Sequence, residues 1–102
     1  MLQPIIKNNL DNISSLCKKH KVKGLYAFGS VTRKDFKKNS DVDLLVEFKK
    51  LPVLVYADNY FDFEENLIKL LSRKVDLISP KYLRNRFFIK EVNDTKQKIF
   101  PV

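Results

Sequence analysis

The sequence has one cysteine, one histidine and no tryptophan. Cys17 has no second cysteine to pair with, so no internal disulfide can form. One cysteine and one histidine also cannot build a zinc site of the finger type. Glycine occurs twice and proline four times, with no serine-rich or proline-rich stretch, so nothing reads as a flexible linker. The longest apolar run, Leu51 to Ala57, is far short of the roughly 20 residues that span a bilayer. The opening MLQPIIKNNL lacks an apolar core of signal-peptide length. Together these absences predict a soluble chain of a reducing compartment, most simply the cytoplasm, with no membrane partner.

What is present fits one modest core. The chain has 102 residues, 44% of them hydrophobic and 31% charged. That is too apolar for a disordered tail and too short for a large multi-domain enzyme. Residues 1–102 are expected to form a single domain. Twenty Lys and Arg against twelve Asp and Glu leave a formal charge of +8. Such an excess attracts anions, whether nucleic acid, nucleotides or an acidic protein, and selects poorly among them. Many lysines fall in scattered pairs (Lys18 and Lys19, Lys37 and Lys38, Lys49 and Lys50), with no arginine-rich arm. The pattern reads as a solvated basic surface, and nucleic acid ranks last among the partners.

Periodicity gives the elements. After Pro4, residues Ile6, Leu10, Ile13, Cys17 and His20 recur at three- and four-residue steps and predict one amphipathic helix. Cys17 on that stripe reads as a small core residue, and His20 as a polar residue at the helix's negative end. Gly24 to Phe28 predicts a strand, Val31 to Phe36 a short helix, and Lys37 to Ser40 a polar turn. Val42 to Phe48, rich in apolar and β-branched residues, predicts the second strand. Tyr60, Phe63, Leu67 and Leu71 mark a long helix ending near Arg73, and Val75 to Ile78 a third strand. After Pro80, residues Leu83, Phe87, Phe88 and Val92 suggest a last helix that frays into NDTKQK. The order predicts an α/β (α+β) fold, a small sheet with helices mainly on one face.

The segment Phe28 to Val46 (FGSVTRKDFKKNSDVDLLV) carries the chemistry. Side chains alternate along a strand, so Asp41 and Asp43 project from one face while Val42 and Leu44 turn to the other. Two like charges on an inward face need neutralising, and hard Mg²⁺ prefers carboxylate and phosphate oxygens. Gly29-Ser30 ends the preceding strand where a helix begins. Glycine permits close backbone approach, and the serine hydroxyl and N–H groups can hold phosphate oxygens. Arg33, one helical turn on, can reach a phosphate from the same side. Asp76, central in VDLI, completes a carboxylate triad if its strand neighbours the second; there it can ligate a metal or take a proton from an attacking hydroxyl. Taken singly, each feature is an ordinary turn, cap or surface residue. Their conjunction is the signal, because the carboxylates interrupt a strand that otherwise looks like core.

This segment resembles the nucleotidyltransferase signature of the DNA polymerase β superfamily: hydrophobic residue, Gly, Ser, a spacer, then Asp-hydrophobic-Asp-hydrophobic. Here it reads Phe28, Gly29, Ser30, ten residues, then Asp41, Val42, Asp43 and Leu44. With the later RKVDLIS run, residues 5 to 92 are similar to minimal nucleotidyltransferase (MNT) domains. The resemblance implies a polymerase β-like fold with a small mixed sheet, working with Mg²⁺ and a nucleoside triphosphate, usually ATP. It implies Asp41 and Asp43 as metal-binding carboxylates, Asp76 as the third, and Gly29 and Ser30 as the phosphate-contacting turn. It also implies a helical partner. MNT proteins are commonly encoded beside a HEPN toxin, acting as antitoxin and in some cases transferring AMP to a toxin tyrosine; others pair with substrate-binding helical domains. Two positions depart from the family pattern. Lys34 and Ser72 stand where glycines are frequent; the first bears on the short helix by the phosphate site, the second removes a favourable helix cap without touching a proposed ligand, and neither removes a carboxylate.

A domain of this size has little room to enclose an acceptor. The acceptor is therefore expected on another chain or across a homo-oligomer interface, with Phe87, Phe88 and Phe100 as candidate contacts. The rival readings are a non-catalytic antitoxin that neutralises its partner by occupying it, and a catalytic subunit acting on a small-molecule hydroxyl with a helical partner.

Overall fold

The structure of the protein, a computed structural model, describes residues 2–32, 36–37, 39–80 and 83–101. In chain order it has α1 (Pro4–Lys7), α2 (Leu10–Lys19), β1 (Val22–Phe28), a 3-10 turn (Gly29–Thr32), β2 (Val42–Phe48), α3 (Val53–Leu71), β3 (Val75–Ile78), α4 (Arg86–Thr95) and β4 (Gln97–Phe100). The strands form one mixed sheet in the order β3-β2-β1-β4. β1 runs antiparallel to both β2 and β4, and β2 runs parallel to β3. A parallel pair needs a crossover, and α3 supplies it, returning the chain to the end of the sheet where β2 begins.

The two faces of the sheet follow from strand alternation. Leu25, Ala27, Leu44, Val46 and Leu77 point to one face and pack with Ile13 and Cys17 of α2 and Phe63 and Leu67 of α3. Phe28 and Leu45 point to the other, with Tyr26 and Ile78 beside them, and meet Val92 and Phe88 of α4. This is the expected α/β architecture, with α2 and the long α3 on one face and α4 on the other.

Three local outcomes differ from the sequence reading. The first predicted helix is two helices, broken at Asn8 and Asn9. The Asn9 amide donates to the Ile5 carbonyl (2.7 Å), satisfying an end of α1 that a continuous helix would have satisfied itself. At the start of the helix predicted over 31–36 the described residues form a 3-10 turn, Gly29–Thr32, while residues 33–35 of that prediction lie outside the described residues. The polar C-terminal segment contains a fourth strand, β4, whose buried Ile99 adds to the core.

His20 caps the negative end of α2 as its place in the sequence suggests, and it is buried there. Its Nδ1 lies 2.7 Å from the Leu16 carbonyl and its Nε2 2.6 Å from an Asp62 carboxylate oxygen on α3. The Asn59 amide donates to the His20 carbonyl (2.7 Å), so the end of α2 is tied to α3 twice. The hydrogen bond from His20 holds the Asp62 carboxyl below the usual carboxylate range. Among the described residues no helix is long and apolar enough to cross a membrane.

Candidate active site

Strand pairing brings the carboxylates together. In the parallel ladder Val42 stands opposite Val75, and Asp43 opposite Asp76. Neighbouring strands lie about 4.8 Å apart, so these two side chains leave the same face side by side. It is the face that carries Phe28, Leu45 and α4. Asp76 is exposed and Asp43 half-buried. Asp41 immediately precedes β2, half-buried, with the Lys74 ammonium 4.0 Å from its carboxylate.

β1 delivers the turn to the same place. Phe28 is the antiparallel partner of Asp43, so the chain leaves β1 beside that carboxylate. Gly29 then takes a left-handed φ of 69°. A Cβ built there would stand 2.6 Å from Asp43 Oδ2. Only a residue without a side chain can lie this close to the carboxylate. The turn is closed by the Thr32 hydroxyl, which donates to the Gly29 carbonyl (2.6 Å), and anchored by buried Val31. Ser30 sits half-buried at its start. Arg33, the remaining candidate, lies outside the described residues.

The donor set is hard oxygen only. Among the described residues no three Asp, Glu, His or Cys side chains form a ready-made metal cage. A carboxylate pair with a third carboxylate nearby suits Mg²⁺ in another way. That ion demands near-octahedral geometry, keeps waters and substrate phosphates in its shell, and takes one or two protein carboxylates. Gly29 lies directly against the Asp43 carboxylate, so the backbone N–H groups of the turn after β1 lie next to that oxygen donor. The residues present therefore fit the ion.

Among the described residues, Cys17 and Tyr60 are not arranged for chemistry. Burial pushes the Cys17 thiol up to about 12, which makes it inert as a nucleophile. Tyr60 donates its hydroxyl to the Leu77 carbonyl, and its pKa is raised, first by burial and then by Glu64, Tyr56 and Asp76. A cleft of about 390 Å³ lined by Phe48, Lys49, Leu51, Tyr56 and Pro80 lies toward the far end of β2. Five residues of strand, roughly 16 Å, separate Phe48 from Asp43, so this cleft is not the carboxylate site. α4 borders the site instead. The Phe88 ring meets Phe28 edge-on at 5.8 Å, while Phe87 is 86% exposed.

Sequence reasoning passed over Arg73. Its Nη2 donates to the carbonyls of Lys37 and Ser40, at 2.6 Å each, in the segment that leads into Asp41. Nothing in residue type or spacing announces this, because both acceptors are backbone atoms.

Residues 12–99 match the sequence pattern of the family described as nucleotidyltransferase domain. The chain belongs to that family. This nucleotidyltransferase is 35% identical, over 79 residues, to a Methanocaldococcus jannaschii protein provisionally named a protein adenylyltransferase, a match covering 78% of each chain. Its fold superposes on a solved structure provisionally described as a minimal nucleotidyltransferase with a TM-score of 0.75, at 27% identity and over 95% of each chain. A chain from the complex of a tri-AMPylated Shewanella oneidensis HEPN toxin with an MNT antitoxin gives a TM-score of 0.64 over 95% of this chain and 73% of that one. At 18% identity this last likeness speaks for the fold. The enzymatic class expected from the signature, nucleotidyl transfer, stands with the family.

Proposed function

We propose that this nucleotidyltransferase moves AMP from ATP onto a tyrosine hydroxyl of a HEPN-type helical toxin and thereby acts as its antitoxin, with residues 1–102 working as one cytoplasmic minimal domain. The observation that carries the reading is the pairing of Asp43 with Asp76 on one face, with Gly29 pressed against Asp43. The protein-adenylyltransferase name of the M. jannaschii relative supports the donor, and the AMPylated toxin in the S. oneidensis complex supports the class of acceptor.

Asp41 and Asp43 would hold Mg²⁺. The bound ion would neutralise the carboxylates and triphosphate oxygens and polarise the α-phosphate. The Gly29–Ser30 turn would hold the phosphates by backbone N–H groups and the Ser30 hydroxyl, with Arg33 as a further phosphate contact. Asp76, exposed beside Asp43, would orient the acceptor hydroxyl and take its proton. A bond then forms between the tyrosine oxygen and the α-phosphorus, the bond from that phosphorus to the bridging oxygen breaks, and pyrophosphate leaves. Asp76 is exposed on the edge strand β3, on the face that α4 packs against, so the acceptor would be presented by a second chain.

The test is intact mass spectrometry of the toxin encoded beside this gene after incubation with this protein, ATP and Mg²⁺. An AMP-sized increase that disappears with Asp41→Asn and with Asp43→Asn is the expected result. A stable complex without any mass change would replace this reading with neutralisation by occupancy. Undiminished transfer by both variants would remove the carboxylates from the mechanism.

A further inference from the structure

The position of Asp41 is fixed by contacts outside the carboxylates. Asp41 lies one residue before β2, where the sheet ladder does not yet hold the chain. The segment before it closes on itself: Ser40 N donates to the Lys37 carbonyl (3.0 Å), and Lys37 N donates to the Ser40 hydroxyl (3.0 Å). Closed in this way, the turn could still swing as a unit about its ends. Arg73 stops it. Its Nη2 donates to Lys37 O and Ser40 O, and its guanidinium lies 4.6 Å from the centroid of the Phe36 ring. Phe36 in turn packs against the main core. On the other side of Asp41, Val42 N donates to the Lys74 carbonyl (2.9 Å).

Asp41 is thus bracketed by Ser40, held through its carbonyl, and Val42, held through its amide. Both holds come from adjacent residues, Arg73 and Lys74. Two residues further on, the same segment places Asp76 beside Asp43. A single stretch, 73–76, therefore holds the chain on both sides of Asp41 and carries Asp76 to its place beside Asp43. At position 73 one guanidinium does two things at once: Nη2 donates to both carbonyls while the group lies over the Phe36 ring, a planar arrangement that a compact ammonium reproduces less well.

We infer that Arg73 is a positioning residue. It holds the turn ahead of Asp41 so that the Asp41 carboxylate meets a divalent cation together with Asp43, and it touches neither the nucleotide nor the ion. This rests on the proposed role of the aspartates as cation carboxylates. The experiment separates the two by titrating Mn²⁺ into the full chain, with free Mn²⁺ read by electron paramagnetic resonance. The chains compared are wild type, Arg73→Lys, Arg73→Ala and Asp43→Asn, each with a thermal melt and steady-state transfer at varied ATP.

Supporting residues of a metal site typically contribute 10–100-fold. Arg73→Lys and Arg73→Ala should each weaken Mn²⁺ binding about tenfold or more and lower kcat by a similar factor, with KM for ATP within about twofold. Unchanged Mn²⁺ affinity in both variants overturns the inference, whatever the melts show. A raised KM for ATP that Arg73→Lys restores would make Arg73 a nucleotide contact and overturns it too. Should Arg73→Ala fold poorly, Arg73→Lys, which keeps the stem and the charge, decides alone. If wild type and Asp43→Asn bind Mn²⁺ equally weakly, the carboxylate reading itself has failed, a result distinct from a defect confined to Arg73.

Discussion

At Gly29 the backbone turns out of β1 with φ 69° and lies against the Asp43 carboxylate. Gly29→Ala brings two separate costs: a left-handed alanine, about 1–2 kcal/mol, and a Cβ in collision with Asp43 Oδ2. The clash is relieved by moving the carboxylate or the turn, and both belong to the proposed site. Urea unfolding should show Gly29→Ala destabilised by about 1–3 kcal/mol, and transfer should fall by much more than the small unfolded fraction explains. Wild-type transfer in this variant would show that the turn tolerates displacement and does not shape the proposed phosphate site. At this scale the sequence was legible where residue type carries the information. Asp43 and the Asp of VDLI stand opposite each other on adjacent strands and Gly29-Ser30 follows the end of β1, whereas Asp41 lies just ahead of β2 rather than in the strand where the alternation was read. Arg73 was not legible, since its partners are carbonyl oxygens 33 and 36 residues away in the chain and every residue type offers those.

Elements built on strong periodicity were also readable from sequence: β2 and β3 fall where alternation puts them, and α3 ends where helical spacing ends it, although it starts at Val53, ahead of the Tyr60–Leu71 stripe. Those set by tertiary pairing were not. β4 is four residues, QKIF, in a polar context, and it forms because β1 offers it a free edge. The buried His20 depends on Asp62, 42 residues later. Helix ends sit between these cases. The departure at Ser72, serine where relatives of the resemblance often have glycine, coincides with a left-handed residue, φ 52°, closing α3. The cap geometry is therefore formed without the residue that suits it best. Ser72→Gly relieves the strained conformation but adds freedom to the unfolded chain, leaving a net gain of about 0.5–1 kcal/mol. For a domain of this size that raises Tm by a few degrees in a thermal melt, with transfer unchanged. A lower Tm would mean that the serine side chain contributes more to the α3–β3 junction than its backbone strain costs.

Across the whole molecule, the basic excess is distributed and the carboxylate site is local. Exposed lysines occur on α1, α2, β1, α3, α4 and β4, and the exposed pairs that use some of them, Lys23–Glu47, Lys69–Glu65 and Lys90–Asp94, are of the weak surface kind. A charge of +8 without a concentrated stripe draws polyanions by long-range attraction, which salt screens within about 10 Å at 0.1 M. Binding of short DNA or RNA duplexes should therefore be detectable at low salt, fall steeply as salt rises, and show no sequence preference. It should also persist undiminished in Asp43→Asn, because removing a negative charge cannot weaken attraction to phosphate. Transfer to the protein acceptor should behave oppositely, lost in Asp43→Asn and retained at a salt concentration that has released the nucleic acid. Fluorescence anisotropy with labelled duplexes, run beside the mass assay over the same salt series, compares the two directly. Sequence-selective binding that survives about 0.3 M salt would show that the basic surface reads nucleic acid in its own right, as attraction to phosphate charge alone would not survive. The acceptor would then have to be sought among nucleic-acid hydroxyls rather than on a toxin tyrosine.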